Sequence, residues 1–361
     1  MSAATLSPAE RERRVRAVLA AARVLADASS PLGKEARLRL PSETGLSPQG
    51  VELGLSRHLE TDASAADVAS LLARTHGASR VHVVLSANVF VGVVRAVALA
   101  VAAAPLVFVR ASRRESVMPE LLQRALASDA GGRVFDLVSA IRPVPADEVH
   151  VYGRRQTIAA ISSEVPAHVR VRGHGPGFGI AVIEASSADL ARAAQGLSWD
   201  IVAFDQRGCL SPRVAIVHGT AKESDFFARA LAEELTLRER EVPRGTPSED
   251  ERSELALYRQ TARALGGCVE TPFFTVSHEN AQQNFILPPA GRHIHVARVS
   301  GSDDFARLLR PFAGAITTVG SAGRGEVVSS WLAKSKGVRH AHLGEMQRPP
   351  LDGPVDLREM L

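Results

Sequence analysis

The chain has 361 residues, 45% hydrophobic and 23% charged, a balance that excludes a disordered protein and gives length enough for two domains. Its 43 basic and 39 acidic residues leave a formal charge of +4 with no long Lys/Arg run, so nucleic acid is a poor partner. The two cysteines lie too far apart to form a disulfide framework and fit a reducing cytoplasm. Met1 to Arg16 lacks the apolar core of a signal peptide, and the longest apolar run, Val89 to Val109, is broken by Arg95 and Pro105, so no membrane span is expected.

Residues 7–28 predict a helix, with Ser7 as N-cap, Pro8 at the first position and Val15, Val18, Leu19, Ala22 and Leu25 on one face. Helical fragments punctuated by Pro31, Pro41, Gly45 and Pro48 continue to about 76. From about 80 the pattern alternates. Strands are expected at 81–85, 106–109, 134–138 and 149–152, with a fifth starting at 169. Helices are expected at 90–104, 115–128 and 155–164. This order predicts a doubly wound, mostly parallel sheet, whose ligands bind beyond the carboxyl ends of the strands. The second half predicts helices at 186–197, 222–239, 248–265, 303–312 and 325–335. Its strands are expected at 214–218, 272–277, 293–299 and 315–319. The boundary is expected near 185, giving domains of 1–185 and 186–345 and an irregular tail of 346–361.

Three strand-end loops carry the polar groups of the first half. Asn88, in Ser86-Ala87-Asn88-Val89, either points amide donors at a ligand or caps the next helix. Arg110, Ser112, Arg113 and Arg114 suit a phosphate, or form a solvated charge cluster. Glu115 follows and is expected to serve the first turn of the next helix. Gly153 and Arg154 close the third loop. The ordinary Gly-x-Gly-x-x-Gly fingerprint is missing from these junctions. Gly173 to Gly179 holds four glycines in seven residues and predicts a loop or strand entry packed against a close neighbour, with His174 expected to be a satisfied loop histidine and a catalytic role as the alternative.

The second half centres on Asp205-Gln206-Arg207-Gly208-Cys209-Leu210-Ser211-Pro212-Arg213. Gly208 and Pro212 predict a tight loop between apolar runs, from which the thiol is approachable. Arg207 and Arg213 are close enough in sequence to favour the thiolate. A buried structural cysteine is the alternative. Cys268, after a helix end, is expected to be structural.

These segments, together with Thr318-Val319-Gly320 and His342-Leu343-Gly344-Glu345-Met346, resemble in order and spacing the aldehyde dehydrogenase superfamily, and within it the LuxC-like acyl-CoA reductases. The resemblance implies two α/β domains with a cleft between them, the first binding the cofactor and the second bearing the nucleophile. It makes Cys209 the acyl-accepting thiol and Asn88, with the Cys209 backbone N–H, the oxyanion donors. It places Arg110, Ser112, Arg113, Gly153 and Arg154 at the cofactor. Arg110 stands where the superfamily commonly has a lysine, and the arginine cluster favours NADPH over NADH. The segment matching the water-activating glutamate of aldehyde-oxidising members, Gly173 to Gly177, holds no acid; Glu184 lies too far downstream. The ribose-binding glutamate motif is not found around 278–290. The implied reaction is reduction of an acyl-CoA, or another acyl-carrier thioester, to an aldehyde. The implied location is cytoplasmic and the implied assembly a homo-oligomer; no metal is expected. The rivals are an aldehyde dehydrogenase acting toward acid or acyl-CoA, and a degenerate homologue that binds only a nucleotide or a partner protein.

Overall fold

The computed structural model describes residues 6–127, 134–186, 188–279 and 287–358. It divides into two compact units, residues 1–176 with 350–355, and residues 177–349 with 356–358.

The first unit opens with helices α1 (Pro8–Ala26), α2 (Pro31–Thr44), α3 (Pro48–Leu53) and α4 (Ala65–Arg74). Ser7, Ser30, Ser47 and Ser64 cap them, each hydroxyl accepting a backbone N–H three residues on, and prolines occupy the first positions of α1 to α3. Gly45 ends α2 in the left-handed conformation at φ 70°. Then follow β1 (Arg80–Val84), α5 (Gly92–Ala103), β2 (Leu106–Arg110), α6 (Val117–Ala127), β3 (Asp136–Leu137), β4 (Glu148–Tyr152), α7 (Arg155–Glu164) and β5 (Arg170–His174). The sheet is parallel throughout, in the order β3-β2-β1-β4-β5. The direction of winding reverses between β1 and β4, the place where such sheets hold ligands. Every residue of α5 from Val93 to Ala103 is buried, so this apolar helix is a core element. Among the described residues no helix is long and apolar enough to cross a membrane.

The second unit runs β6 (Phe178–Glu184), α8 (Leu190–Val202), β7 (Pro212–His218), α9 (Ala221–Glu241), α10 (Glu249–Leu265), β8 (Gly266–Glu270), β9 (Thr275–Glu279), β10 (His293–Val299), α11 (Ser302–Leu309), β11 (Ile316–Ala322), α12 (Glu326–Leu332) and β12 (Arg339–His342). Its sheet has the order β12-β11-β6-β7-β10-β9-β8, and only the β8–β9 pair is antiparallel. Phe178, Ile180, Val182, Val214, Ile216, Ile316 and Val319 form the core beneath it.

The division falls at 176/177, earlier than the 185 expected from sequence. The reason is β6. All seven of its residues are buried, and it pairs with β7 and β11, so it belongs to the second sheet. The glycines around it mask the strand pattern in the sequence. Gly179 packs its bare face on the Leu210 carbonyl and Gly177 packs against Thr317, the close approach expected of this stretch. Strands β8 and β12 are not anticipated from sequence, the expected 134–138 strand shrinks to Asp136–Leu137, and the expected 303–312 helix ends at Leu309 in a 3-10 turn.

Glu115 serves the helix after it. Its Oε1 accepts the Met118 backbone N–H at 2.7 Å, and the residue is 1% exposed. Burial pushes its carboxyl up to about 7. A carboxyl whose folded pKa is raised favours the folded state in its protonated form, so the contribution is present below the ordinary value and lost as pH rises through about 7. Glu115→Gln keeps an acceptor without a titrating proton. It is expected to raise the urea midpoint at about pH 8 and leave it little changed at about pH 4, as read from equilibrium unfolding.

Candidate functional site

In the second unit the chain leaves α8 and makes an abrupt turn before the cysteine. Phe204, Asp205 and Gln206 have positive φ values of 53°, 50° and 59° in succession. For side chains with a Cβ this conformation costs roughly 1–2 kcal/mol per residue, so the surroundings must impose it. Asp205 is 2% exposed and its Oδ1 accepts from Arg292 Nε at 2.7 Å, while its Oδ2 accepts the Gly245 N–H at 3.0 Å. Arg292, also 2% exposed, donates through Nη1 to Glu239 at 2.9 Å and to the Val242 carbonyl at 2.7 Å. The Asp205 carbonyl accepts the Gly291 N–H at 2.9 Å. Gly291 and Arg292 themselves have φ values of 104° and 69°, so two left-handed segments are bolted to each other.

Gln206 extends the lock. Its amide nitrogen donates to the Pro212 carbonyl at 2.7 Å and the His293 carbonyl at 3.1 Å, and its oxygen accepts the His293 N–H at 2.6 Å. One fully buried side chain thus joins the start of β7 to β10 and draws 207–211 into a loop. Ser211 closes that loop by donating its N–H to the Gly208 carbonyl at 3.1 Å. Thr317 of β11 donates its hydroxyl to the Cys209 carbonyl.

Cys209 is half-buried and makes no disulfide. Burial pushes its thiol up to about 11, and Asp356 adds to the rise; Arg358, the residue's own backbone N–H and Arg339 oppose it. The thiolate support expected from Arg207 and Arg213 is not there. Arg207 pairs with Glu251, Nε to Oε1 at 2.9 Å, and Arg213 donates to the Pro288 carbonyl at 2.6 Å. The loop turns both away, and the cations that act on the thiol come from distant sequence. Cys268 lies on β8, its thiol donating to Glu270 at 2.9 Å and raised to about 11 by burial and that carboxylate.

Other motifs of this unit are structural. Asp200 accepts the backbone N–H groups of Gly344 at 2.6 Å and Met346 at 2.9 Å, and Gly320 packs against Met346 and Leu343. Glu184 accepts the N–H groups of Gly325 at 3.0 Å and Val327 at 2.8 Å, serving the start of α12. Of the 278–290 stretch expected to lack the ribose-binding glutamate motif, residues 280–286 lie outside the described residues.

In the first unit the three loops lie where the sequence places them, at the carboxyl ends of β1, β2 and β4. Asn88 is exposed and does not cap α5, whose N-cap is Val91 without a side-chain bond. Its Oδ1 instead accepts from Arg114 Nη2 at 3.3 Å, which joins the first loop to the second. Arg110 and Ser112 are half-buried and Arg113 is exposed; among the described residues neither Arg110 nor Arg113 makes an ion pair. Uncompensated guanidinium groups at a strand end fit an anionic phosphate. Gly153 is half-buried and Arg154 exposed at the start of α7. His174 is not a satisfied loop histidine. It ends β5, stacks on Tyr152 with ring centroids 4.2 Å apart, and its buried Nε2 has no hydrogen-bond partner among the described residues. Burial lowers its pKa to about 3, so the imidazole is neutral.

Sequence reasoning assigns no individual role to Asp205, Gln206, Arg292, Thr317, Arg339, Asp356 or Arg358. For Asp205 and Gln206 the signal was present: two polar residues inside an otherwise apolar run ahead of a Gly-Cys turn. The others come from far along the chain, with no local signal.

Compared with known proteins, residues 69–361 match the family model described as acyl-CoA reductase (LuxC). The long-chain acyl-protein thioester reductase of Vibrio harveyi is 26% identical over 168 residues, 45% of this chain and 34% of that protein. Its namesake from Aliivibrio fischeri is 28% identical over 160 residues, 43% of this chain and 32% of that protein. The aligned stretches therefore span about a third of each relative. Among solved structures, an oxidoreductase from Marinobacter aquaeolei superposes with a TM-score of 0.69 at 13% identity, covering 97% of this chain and 81% of that one. An aldehyde dehydrogenase from Pseudomonas syringae, crystallised with NAD+ and octanal, gives a TM-score of 0.68 at 15% identity, covering 92% of this chain and 77% of that one. These likenesses establish an aldehyde dehydrogenase-like α/β fold.

The Asp205–Arg292 pair makes a direct prediction. Asp205→Ala leaves a buried guanidinium with one acid partner fewer, and breaking such a pair costs about 3–5 kcal/mol. Urea unfolding is expected to show an unfolding free energy lower by that amount, with the midpoint falling in proportion and the slope unchanged. A loss below about 1 kcal/mol would mean the pair does not hold the turn.

Proposed function

The chain belongs to the acyl-CoA reductase (LuxC) family, and we propose that it reduces an acyl thioester to an aldehyde with NADPH, carrying the acyl group on Cys209. The observation that carries this reading is the family match itself, which spans Asn88, the Arg110–Arg113 loop and Cys209. The locked turn ahead of Cys209 supports it, because backbone strain of this kind persists where geometry is functionally constrained.

In this reading the Cys209 sulfur attacks the thioester carbonyl. The bond from the carbonyl carbon to the carrier sulfur breaks, and the carrier leaves as a thiol with the proton Cys209 gave up. One hydride from the reduced nicotinamide and one proton then convert the acyl–Cys209 thioester into an aldehyde and the free thiol, which is the chemistry the cofactor supplies. Asn88 and the Cys209 backbone N–H are the oxyanion donors; with its Oδ1 engaged by Arg114, the Asn88 amide keeps its N–H2 donors for a ligand. Arg110, Ser112 and Arg113 hold the 2′-phosphate, and Gly153 and Arg154 lie at the same end of the sheet.

Reduction is favoured over oxidation to an acid by what stands in the Gly173–Gly177 segment. His174 there has its pKa lowered to about 3, far from the range in which a base activates water efficiently near neutral pH. An acyl-enzyme therefore lacks a water-activating group in that segment and persists for reduction. The carrier, CoA or an acyl-carrier protein, follows the relatives' description as thioester reductases. A homo-oligomer and a cytoplasmic setting complete the reading.

Intact-mass spectrometry after mixing with acyl-CoA, without NADPH, is expected to show one acyl adduct that Cys209→Ala abolishes and Cys268→Ala retains. An adduct surviving in Cys209→Ala refutes the assignment. Asn88→Ala is expected to lower kcat by about 100-fold or more with a modest change in KM; unchanged kcat removes Asn88 from the oxyanion hole. Fluorescence titration should find NADPH bound at least about tenfold tighter than NADH, with Arg113→Ala closing the gap by weakening NADPH. Equal affinities in the unmodified protein would return the arginines to a solvated surface.

A further inference from the structure

In the second unit a group of cations gathers around one imidazole at the start of β10. His293 is 0% exposed, yet neither of its ring nitrogens has a hydrogen-bond partner among the described residues. On the β9 side its register partner is Thr275, whose hydroxyl accepts from Arg259 Nε at 2.9 Å. On the β7 side Gln206 donates to the carbonyls of both Pro212 and His293, which brings Arg213 alongside. The third guanidinium comes from the loop after α9. A Cβ on Gly291 would stand 2.5 Å from Arg244 Nη2 and 3.5 Å from His293 Nε2, so both groups face the same bare glycine.

Arg259 is committed to Thr275, the Phe274 carbonyl and Glu270. The other two are not. Arg213 donates through Nη1 to the Pro288 carbonyl at 2.6 Å, but its buried Nε has no partner among the described residues. Arg244, half-buried, makes no side-chain hydrogen bond or ion pair among the described residues. The acids nearby are taken, Asp205 by Arg292 and Glu251 by Arg207, and Glu254 is exposed on α10. Burial lowers the pKa of both guanidinium groups, and it lowers that of His293 well below the ordinary value, with Arg244, Arg259 and Arg213 adding to the fall. A desolvated cation without an anion costs free energy, so these side chains favour an anionic ligand.

We propose that Arg213, Arg244 and His293 form a binding site for a phosphate group, either the 3′-phosphate of CoA or the free ion. A phosphate monoester, with a second pKa of about 6, accepts hydrogen bonds and, when singly protonated, also donates one. It can therefore meet two guanidinium donors together with a neutral imidazole in either tautomer. A carboxylate at neutral pH only accepts. The assignment stands whether or not Cys209 is the nucleophile.

The test follows the imidazole nitrogen resonances of His293, assigned by their loss in His293→Gln, while inorganic phosphate is titrated at neutral pH and constant ionic strength. Phosphate is expected to move them in a saturable way, and chloride or acetate to leave them in place. Phosphate held at Arg110 and Arg113 in the first unit does not touch this ring, so it cannot mimic the result. Arg244→Met is expected to weaken the titration at least about tenfold, and Arg244→Lys to retain most of it. A parallel titration separates the sources. Movement with CoA and not with 3′-dephospho-CoA names the 3′-phosphate; movement with inorganic phosphate alone names the free ion. Resonances that ignore phosphate, that follow acetate equally, or that titrate in Arg244→Met as in the unmodified protein overturn the proposal.

Discussion

The buried contact between Asp205 and Arg292 is the constraint on which the geometry of the second unit's cysteine loop depends. Three successive left-handed residues have no local reason to persist, and their cost would spread the turn over many conformations. The ion pair prevents this because both groups are fully desolvated and each is held by further bonds: Gly245 on the carboxylate, Glu239 and Val242 on the guanidinium. A buried pair of this kind seldom adds much net stability relative to apolar packing. Its value lies in admitting a single geometry. Gln206 then transmits that geometry to β7 and β10, and the cysteine loop inherits it.

Both thiols of the chain are raised to about 11, which separates reactivity from simple acidity. At Cys268 a carboxylate hydrogen bond joins burial in disfavouring the anion. At Cys209 burial is the main cause, Asp356 adds to the rise, and Arg358 and Arg339 oppose it. In the first unit, among the described residues, Arg110 and Arg113 make no ion pair at the carboxyl end of β2.

Most of the fold was legible because its signals are local. The Ser-Pro starts of α1 to α3 and the apolar runs of β1, β2, β4, β7 and β10 announce themselves within a few residues. Strand β6 was hidden by the glycines around it, which close packing against Leu210 and Thr317 requires. The loops bearing Asn88, Arg113 and Cys209 were legible for the same reason as the strands. What the sequence concealed is partnership. Arg207 and Arg213 looked like neighbours of the thiol because they are near along the chain, yet the turn at 204–206 directs them to Glu251 and Pro288. Arg292, Arg339 and Arg358 reach the loop only through tertiary structure.

The strand order of the second sheet also governs how the chain can be built. Ile180 of β6 sits opposite Val214 on one side and Val319 on the other. The first pairing is available soon after β7 is synthesised, but the second waits for β11. Through that interval β6 presents an open edge rich in β-branched residues, the kind of surface that templates association with another chain. The intervening helices α9 and α10 are long, charged and capped by complete capping boxes at Thr220 and Ser248, so they can form early on local signals alone. Nascent chains of this protein should therefore depend on holding chaperones most acutely between the emergence of β7 and that of β11.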